Sequence, residues 1–135
     1  MQSTQIVIFE NECCSLELEL ENQCLIMNWK GLLPSKAFRE VHLQALQQMR
    51  KSSISRILFD ARRMKTIGSE DAAWVENFWL PAASVTGFRY CAIVESDYVF
   101  NQHSLNNIIE KADPEMVTFR YFKDREAAHF WLKHS

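Results

Sequence analysis

The residues from Ile54 to Ala72, ISRILFDARRMKTIGSEDA, gather the densest set of groups able to do chemistry. A short apolar run, Ile57-Leu58-Phe59, ends in Asp60; a basic loop with Arg62, Arg63 and Lys65 follows, and Gly68-Ser69-Glu70-Asp71 opens a helix. In open α/β sheets the junction beyond a strand's carboxyl end is where ligands and partners sit. A carboxylate at the Asp60 position suits orienting an arginine or accepting loop amides. Arg62, Arg63 and Lys65 are candidates for holding a phosphate or carboxylate. Ser69 is placed to cap the helix, with Glu70 and Asp71 stabilising its positive end. A phosphoryl group on Ser69 would meet free amides and nearby cations. Ser69, Thr66 and Asp60 are therefore the candidate residues for modification or interaction at this junction.

Other groups are weaker candidates. The histidines are His42, His103, His129 and His134; no two are spaced i, i+4 and none neighbours a cysteine in a ligand pattern, so no metal site is assigned. A pairing of His103 with Ser69 or Ser104 lacks the strained nucleophile turn of a GxSxG motif. Nucleophile, base and orienter do not occur together, so no catalytic residue is assigned and an enzyme is the least favoured class. Cys13, Cys14, Cys24 and Cys91 form no CxxC and read as small apolar fillers kept reduced. Glycine-rich phosphate loops are absent, and no cofactor is expected. Most aromatic residues read as core by spacing. Trp74, Trp79 and Phe100 are the candidates for an apolar pocket or a partner surface.

The elements that must position these groups follow from patterning. A chain of 135 residues reads as one domain over 1–135. A formal charge of −2 gives no long-range attraction to nucleic acid or an anionic membrane. Three Gly and three Pro argue against a turn-rich sandwich or barrel. The first residues lack the basic and apolar regions of a signal peptide, and no apolar run nears the roughly 20 residues that span a bilayer. The expected location is the cytoplasm, with no membrane insertion.

Ile6 to Phe9 reads as a strand. Leu16, Leu18 and Leu20 alternate with Glu17, Glu19 and Glu21, predicting a strand with one apolar and one wet face. Glu21-Asn22-Gln23 supplies a turn, and Cys24 to Trp29 returns as a third strand, making an antiparallel hairpin. Pro34 and Ser35 start a helix whose stripe is Phe38, Val41, His42, Ala45, Leu46 and Met49. Ile54 to Phe59 and Tyr90 to Val94 read as strands covered on both faces. Between them a helix from Ser69 carries Val75, Phe78, Trp79, Ala82 and Ala83 inward, with Pro81 to kink or end it and Gly87 as a stop. A short helix over Ser104 to Lys111 ends at Asp113-Pro114. Val117 to Tyr121 is a last strand, and Asp124 caps a final helix with Ala127, Phe130 and Trp131 inward. The order β-β-β-α-β-α-β-α-β-α predicts an α/β fold: an N-terminal antiparallel hairpin, then βα units, in a mixed and mostly parallel sheet.

That order carries a resemblance. Trp29-Lys30-Gly31 ahead of a helix, a buried strand ending in Asp60, and Ile67-Gly68-Ser69 opening the next helix resemble the STAS-like superfamily, the fold of bacterial anti-sigma-factor antagonists. LFDAR, SEDAAW, FWLP, RYFKD and the closing FWL bring the chain nearest to small bacterial STAS-like proteins of unassigned function. In the family, a serine at the matching helix start is phosphorylated by a partner kinase. Ser69 occupies that place, with Gly68 where the family has Asp and Glu70-Asp71 where it has Ser-Gly. The resemblance implies a non-enzymatic regulatory module contacting a protein partner, with a second copy of the chain among the candidate partners. The alternative from the residues is a carrier of a small apolar or lipid-like ligand, using the Asp60 loop and the aromatic side chains.

Overall fold

Among the described residues six strands lie side by side in sequence order. The computed structural model describes residues 5–135, and the side chains of these except at 99–102. The elements are β1 (Gln5–Glu10), β2 (Cys14–Glu19), β3 (Cys24–Gly31), α1 (Ser35–Lys51), β4 (Arg56–Met64), α2 (Ser69–Trp74), a π-helical turn (Val75–Trp79), α3 (Leu80–Ser84), β5 (Tyr90–Val94), α4 (Val99–Lys111), β6 (Thr118–Phe122) and α5 (Arg125–Lys133). β1, β2 and β3 pair antiparallel, and β3 to β6 pair parallel. The expected hairpin followed by βα units is thus the observed architecture.

The two faces of the sheet are covered unequally. Helices α1 to α4 close one face over a large apolar core, with Phe38, Val41, Ala45, Leu46 and Met49 of α1 pressed against Leu16, Leu25, Met27 and Ile57 of the strands. Among the described residues α5 is the one helix on the other face, with Ala128 and Leu132 on Cys24, Ile26, Leu58, Ala92 and Val94. α5 packs on β4, β5 and β6, and among the described residues no helix covers this face over β1 and β2.

Four local expectations differ from the structure, each for a physical reason. β4 runs to Met64, so Arg62 and Arg63 stand on a strand and not in a loop. Pairing with β3 continues to Gly31 opposite Met64, and buried Ala61 and Met64 hold the strand down. The alternation of β2 stops at the turn: Glu19 is fully buried (0 % exposed) and Leu20 faces solvent. Phe78 is 49 % exposed, while Val75, Trp79, Leu80 and Ala83 are buried. Here the Leu80 amide bonds to the Val75 carbonyl, five residues back. A proline at 81 has no N–H and crowds the carbonyl four residues before it; the wider turn accommodates this and rotates the inward stripe. On α5 the inward residues are Ala128 and Leu132, Trp131 is half-buried, and Ala127 and Phe130 are exposed. Ala128 and Leu132 lie four residues apart on one face of the helix, so Phe130, two residues from each, points the other way.

His42 sits wholly inside the first core. Its Nδ1 bonds to the Phe38 carbonyl at 3.0 Å, and the Trp79 indole donates to the His42 carbonyl at 2.6 Å, tying α1 to the π-helical turn. Burial pushes the imidazole down to about 4, with the Phe38 carbonyl and Asp71 opposing only part of that. The ring is therefore neutral in the folded chain at pH 7. An unfolded histidine takes a proton near pH 6.5, so the unfolded chain binds more protons between pH 6.5 and 4. Stability present above pH 6.5 must fall as pH drops through that window, by at most about 1.4 kcal/mol per pH unit. Urea unfolding at pH 7, 6 and 5 should show this slope, and His42→Gln should reduce it.

Candidate functional site

The β3–β4 pairing brings the charged residues together. Asn28 of β3 stands opposite Asp60 of β4, and beyond an irregularity in register Lys30 stands opposite Arg63. Asp60 is only 6 % exposed although it is a carboxylate. Its Oδ1 accepts from the Arg62 amide at 3.2 Å and Arg62 Nε at 3.0 Å, and its Oδ2 from Arg62 Nη2 at 2.7 Å and Arg125 Nη1 at 2.9 Å. Arg125 Nη1 also donates to the Asn28 side-chain oxygen. Burial pushes the Asp60 carboxyl up, but the bonds from Arg62 and Arg125 outweigh it and hold the group below the usual carboxylate range. Asp60 thus pins the first turn of α5 to the middle of the sheet.

A second polar anchor escaped the sequence reading. Glu19 accepts from Gln5 at 3.2 Å, from Asn22, and from His129 Nε2 at 2.9 and 3.0 Å. Burial raises the Glu19 carboxyl, while the bonds from Asn22, His129 and Gln5 and the nearby imidazole lower it further than that. Arg56 completes the clamp. Its guanidinium donates to the carbonyls of Asn22, Leu132 and Ser135 at 2.7 to 2.8 Å. The alternation of β2 assigned Glu19 to solvent. Only the approach of α5 from a sequence distance of 110 residues makes it a buried acceptor.

The helix start at Ser69 is built differently from the capped terminus expected. Gly68 is the cap residue, without a side-chain bond, and Ser69 is the first helical residue, exposed to solvent. The acid doing structural work is Asp71. It is buried and accepts from Ser35 Oγ at 2.7 Å and Arg39 Nε at 2.8 Å, both on α1. Arg39 in turn lies over the Trp74 ring at 5.2 Å, and Trp74 stacks on Phe78 at 5.5 Å. Thr66, Lys65 and Glu70 are exposed beside Ser69.

The aromatic candidates separate. Trp79 lines an enclosed apolar cavity of about 50 Å³ between the sheet and α1–α4, together with Phe38, His42, Phe59 and Phe88. That volume is far below the roughly 300–1,000 Å³ of ligand pockets. Trp74 lies outside this lining, half-buried against the core with its ring edge-on to His42 at 5.9 Å. The Phe100 side chain lies outside the described residues. All four cysteines are buried. Burial pushes their thiols up, Cys13 to about 11 and Cys24 to about 12, with Cys14 and Cys91 also raised. Burial thus disfavours in all four the thiolate form that nucleophilic sulfur chemistry uses. Among the described residues no group of three or more His, Cys, Asp or Glu could hold a metal ion, and no helix is long and apolar enough to cross a membrane.

Two measurements test this account. Arg125→Ala removes one charge-assisted partner of a buried carboxylate and should destabilise the chain by about 2 kcal/mol in denaturant unfolding. Asp60 and Glu19 have lowered folded values, so their stabilisation is present above the ordinary carboxylate range near pH 4 and is lost as pH falls through the folded values. Acid titration followed by circular dichroism should therefore unfold Asp60→Asn at higher pH than wild type, because Arg62 and Arg125 then lack their counter-charge.

Comparison with known proteins agrees with this architecture. A family model described as SpoIIAA-like matches residues 24–133. No curated protein and no solved structure matches the chain. The matched span starts at the first residue of β3 and ends at the last residue of α5, so it holds the Asp60 cluster, the Ser69 helix and the parallel strands. The chain belongs to the SpoIIAA-like family, with its STAS-like fold.

Proposed function

We propose that this chain is a non-enzymatic regulatory module that acts by protein–protein contact through the loop and helix start around Ser69. The observation that carries this reading is the state of Ser69. It is exposed at the first position of α2, and among the described residues its hydroxyl has no hydrogen-bond partner. A side chain in that position is reachable by a modifying enzyme and contributes no cap. The backbone beneath it is rigid, because Asp71 ties the helix to Ser35 and Arg39 of α1. Phe78, half exposed and stacked on Trp74, offers an apolar contact on the same helical run. An exposed aromatic beside a rigid polar spot is the usual make-up of an interface anchor.

Family membership supports the same class of function. A phosphoryl group on Ser69 would add about 1.5–2 negative charges next to Glu70, enough to repel an acidic partner or attract a basic one. The raised thiols and the bonded histidines His42 and His129 favour a binding role over catalysis.

Photo-cross-linking residues placed at 66, 69 and, as a control, 51 test the reading in the source cells. One protein should be captured from 66 and 69 and not from 51, and Ser69→Glu should change its yield several-fold. Equal capture from all three positions, or none, would refute the reading. Sedimentation of the purified chain distinguishes a second copy from a different protein as that partner. Ser69→Ala should leave stability within about 0.5 kcal/mol, because the serine is not the cap.

A further inference from the structure

We propose that the cleft at the carboxyl ends of β3 and β4 binds a small phosphomonoester dianion. This cleft opens beside α5, on the face of the sheet opposite α1 to α4, and the inference is independent of the role given to Ser69. It has a volume of about 260 Å³ and is lined by Ser15, Asn28, Trp29, Lys30, Asp60, Arg62, Arg63 and Arg125. Four cations share it with one carboxylate, in a chain whose formal charge is −2. Two of the three cations that the sequence singled out, Arg62 and Arg63, line it; Lys65 does not, and Lys30 and Arg125 take part instead.

Like charges face one another across the cleft. Lys30 and Arg63 stand opposite each other on adjacent strands, where like charges repel. Neither has an ion-pair partner among the described residues. Asp60 is already committed, bonding Arg62 in a two-point fork and Arg125 through one nitrogen. Asp97 and Asp124 act on Arg62 from outside the cleft lining, and the Asp124 carboxylate is engaged with the amides of Glu126 and Ala127. The lining therefore keeps a surplus of three positive charges. Asp60 holds the two guanidinium planes in place, so their remaining N–H groups are oriented before any ligand arrives. Guanidinium forks match the oxygens of a phosphate, and Ser15 adds a neutral hydroxyl, while the Asn28 side chain is engaged with Arg125 and the Ser15 carbonyl. A dianion offsets the surplus better than a single carboxylate does. The volume admits a phosphate with a small substituent, and a concave cleft in an acidic chain is unlike the extended basic stripe that tracks a nucleic acid.

Glycerol 3-phosphate and inorganic phosphate are the soluble probes, followed by amide NMR of the full chain at constant ionic strength. Saturable shifts should centre on Lys30, Arg63 and Arg125. Lys30→Gln and Arg63→Gln should each weaken binding about tenfold or more, the loss expected for one charge-assisted hydrogen bond. Lys51→Gln, which removes the same charge at the far end of α1, should leave it unchanged. Both cleft substitutions are at exposed positions. In phosphate-free buffer they should melt at or above the wild-type temperature, because a like-charge pair is relieved. Phosphate should then raise the melting temperature of the wild type alone. Sedimentation with phosphatidylcholine vesicles containing phosphatidic acid separates the two sources of this chemistry. Retention that is lost in Arg63→Gln assigns a lipid headgroup, and solution binding without retention assigns a free phosphomonoester. Absence of both, shifts reproduced by chloride, or equal weakening by Lys51→Gln would overturn the proposal.

Discussion

The parallel register between β3 and β4 is the constraint from which the rest of the molecule follows. It runs from Cys24 opposite Arg56 to Gly31 opposite Met64, with one irregularity after Asn28. Apolar side chains on both faces hold it: Leu25, Met27 and Ile57 point into the larger core, Ile26 and Leu58 into the smaller one. A slip of one residue would exchange those faces and expose both sets. The same register sets Asn28 beside Asp60, places Lys30 across from Arg63, and ends β4 where the short loop from Lys65 to Gly68 delivers Ser69 to the rim. A structural requirement of the core thus dictates the spacing of Asn28, Lys30, Asp60 and Arg63.

The faces of the sheet then take different tasks. Helices α1 to α4 seal the first face around Trp29, Phe38, His42 and Trp79, whose rings meet at 4.5 to 5.3 Å where they neighbour one another. His42 inside it and Asp71 beside it are its polar members, and the His42 carbonyl and the Asp71 carboxylate both hold α1 to the segment that follows β4. Among the described residues the second face has α5 as its one helix, packed on three of the six strands. Charged and polar bonds reinforce that packing: Asp60 at one end of α5, and Glu19 and Arg56 toward the other. Buried carboxylates are costly unless fully bonded, and each of these has three or more donors. The result is a helix seated firmly at both ends beside an open, positively charged recess.

Patterning carried much of this. Three strands, then strand and helix in alternation, came from local periodicity. The α1 stripe was readable because a 3.6-residue repeat needs no knowledge of what it packs against. Asp60 stood out because an acid ending an apolar run invites a partner. That partner was not readable: Arg125 lies 65 residues away and its own neighbourhood, Lys123 to Glu126, looks like any solvated turn. Glu19 was misjudged for the same reason, since alternation assigns faces without saying which face a distant helix will cover. The expectation for Phe78 failed on one proline, whose effect on a helix depends on whether the turn before it widens or breaks.

By itself, then, the amino-acid order determined the elements, their sequence along the chain and the apolar stripe of α1, because those depend on interactions between residues a few positions apart. Tertiary structure alone decided which acids are buried, which cations are left without a partner, and that Gly68 and not Ser69 closes the helix start. Those outcomes depend on where α1 and α5 come to rest, and no local spacing encodes the distance between two groups that the fold brings within 3 Å of each other.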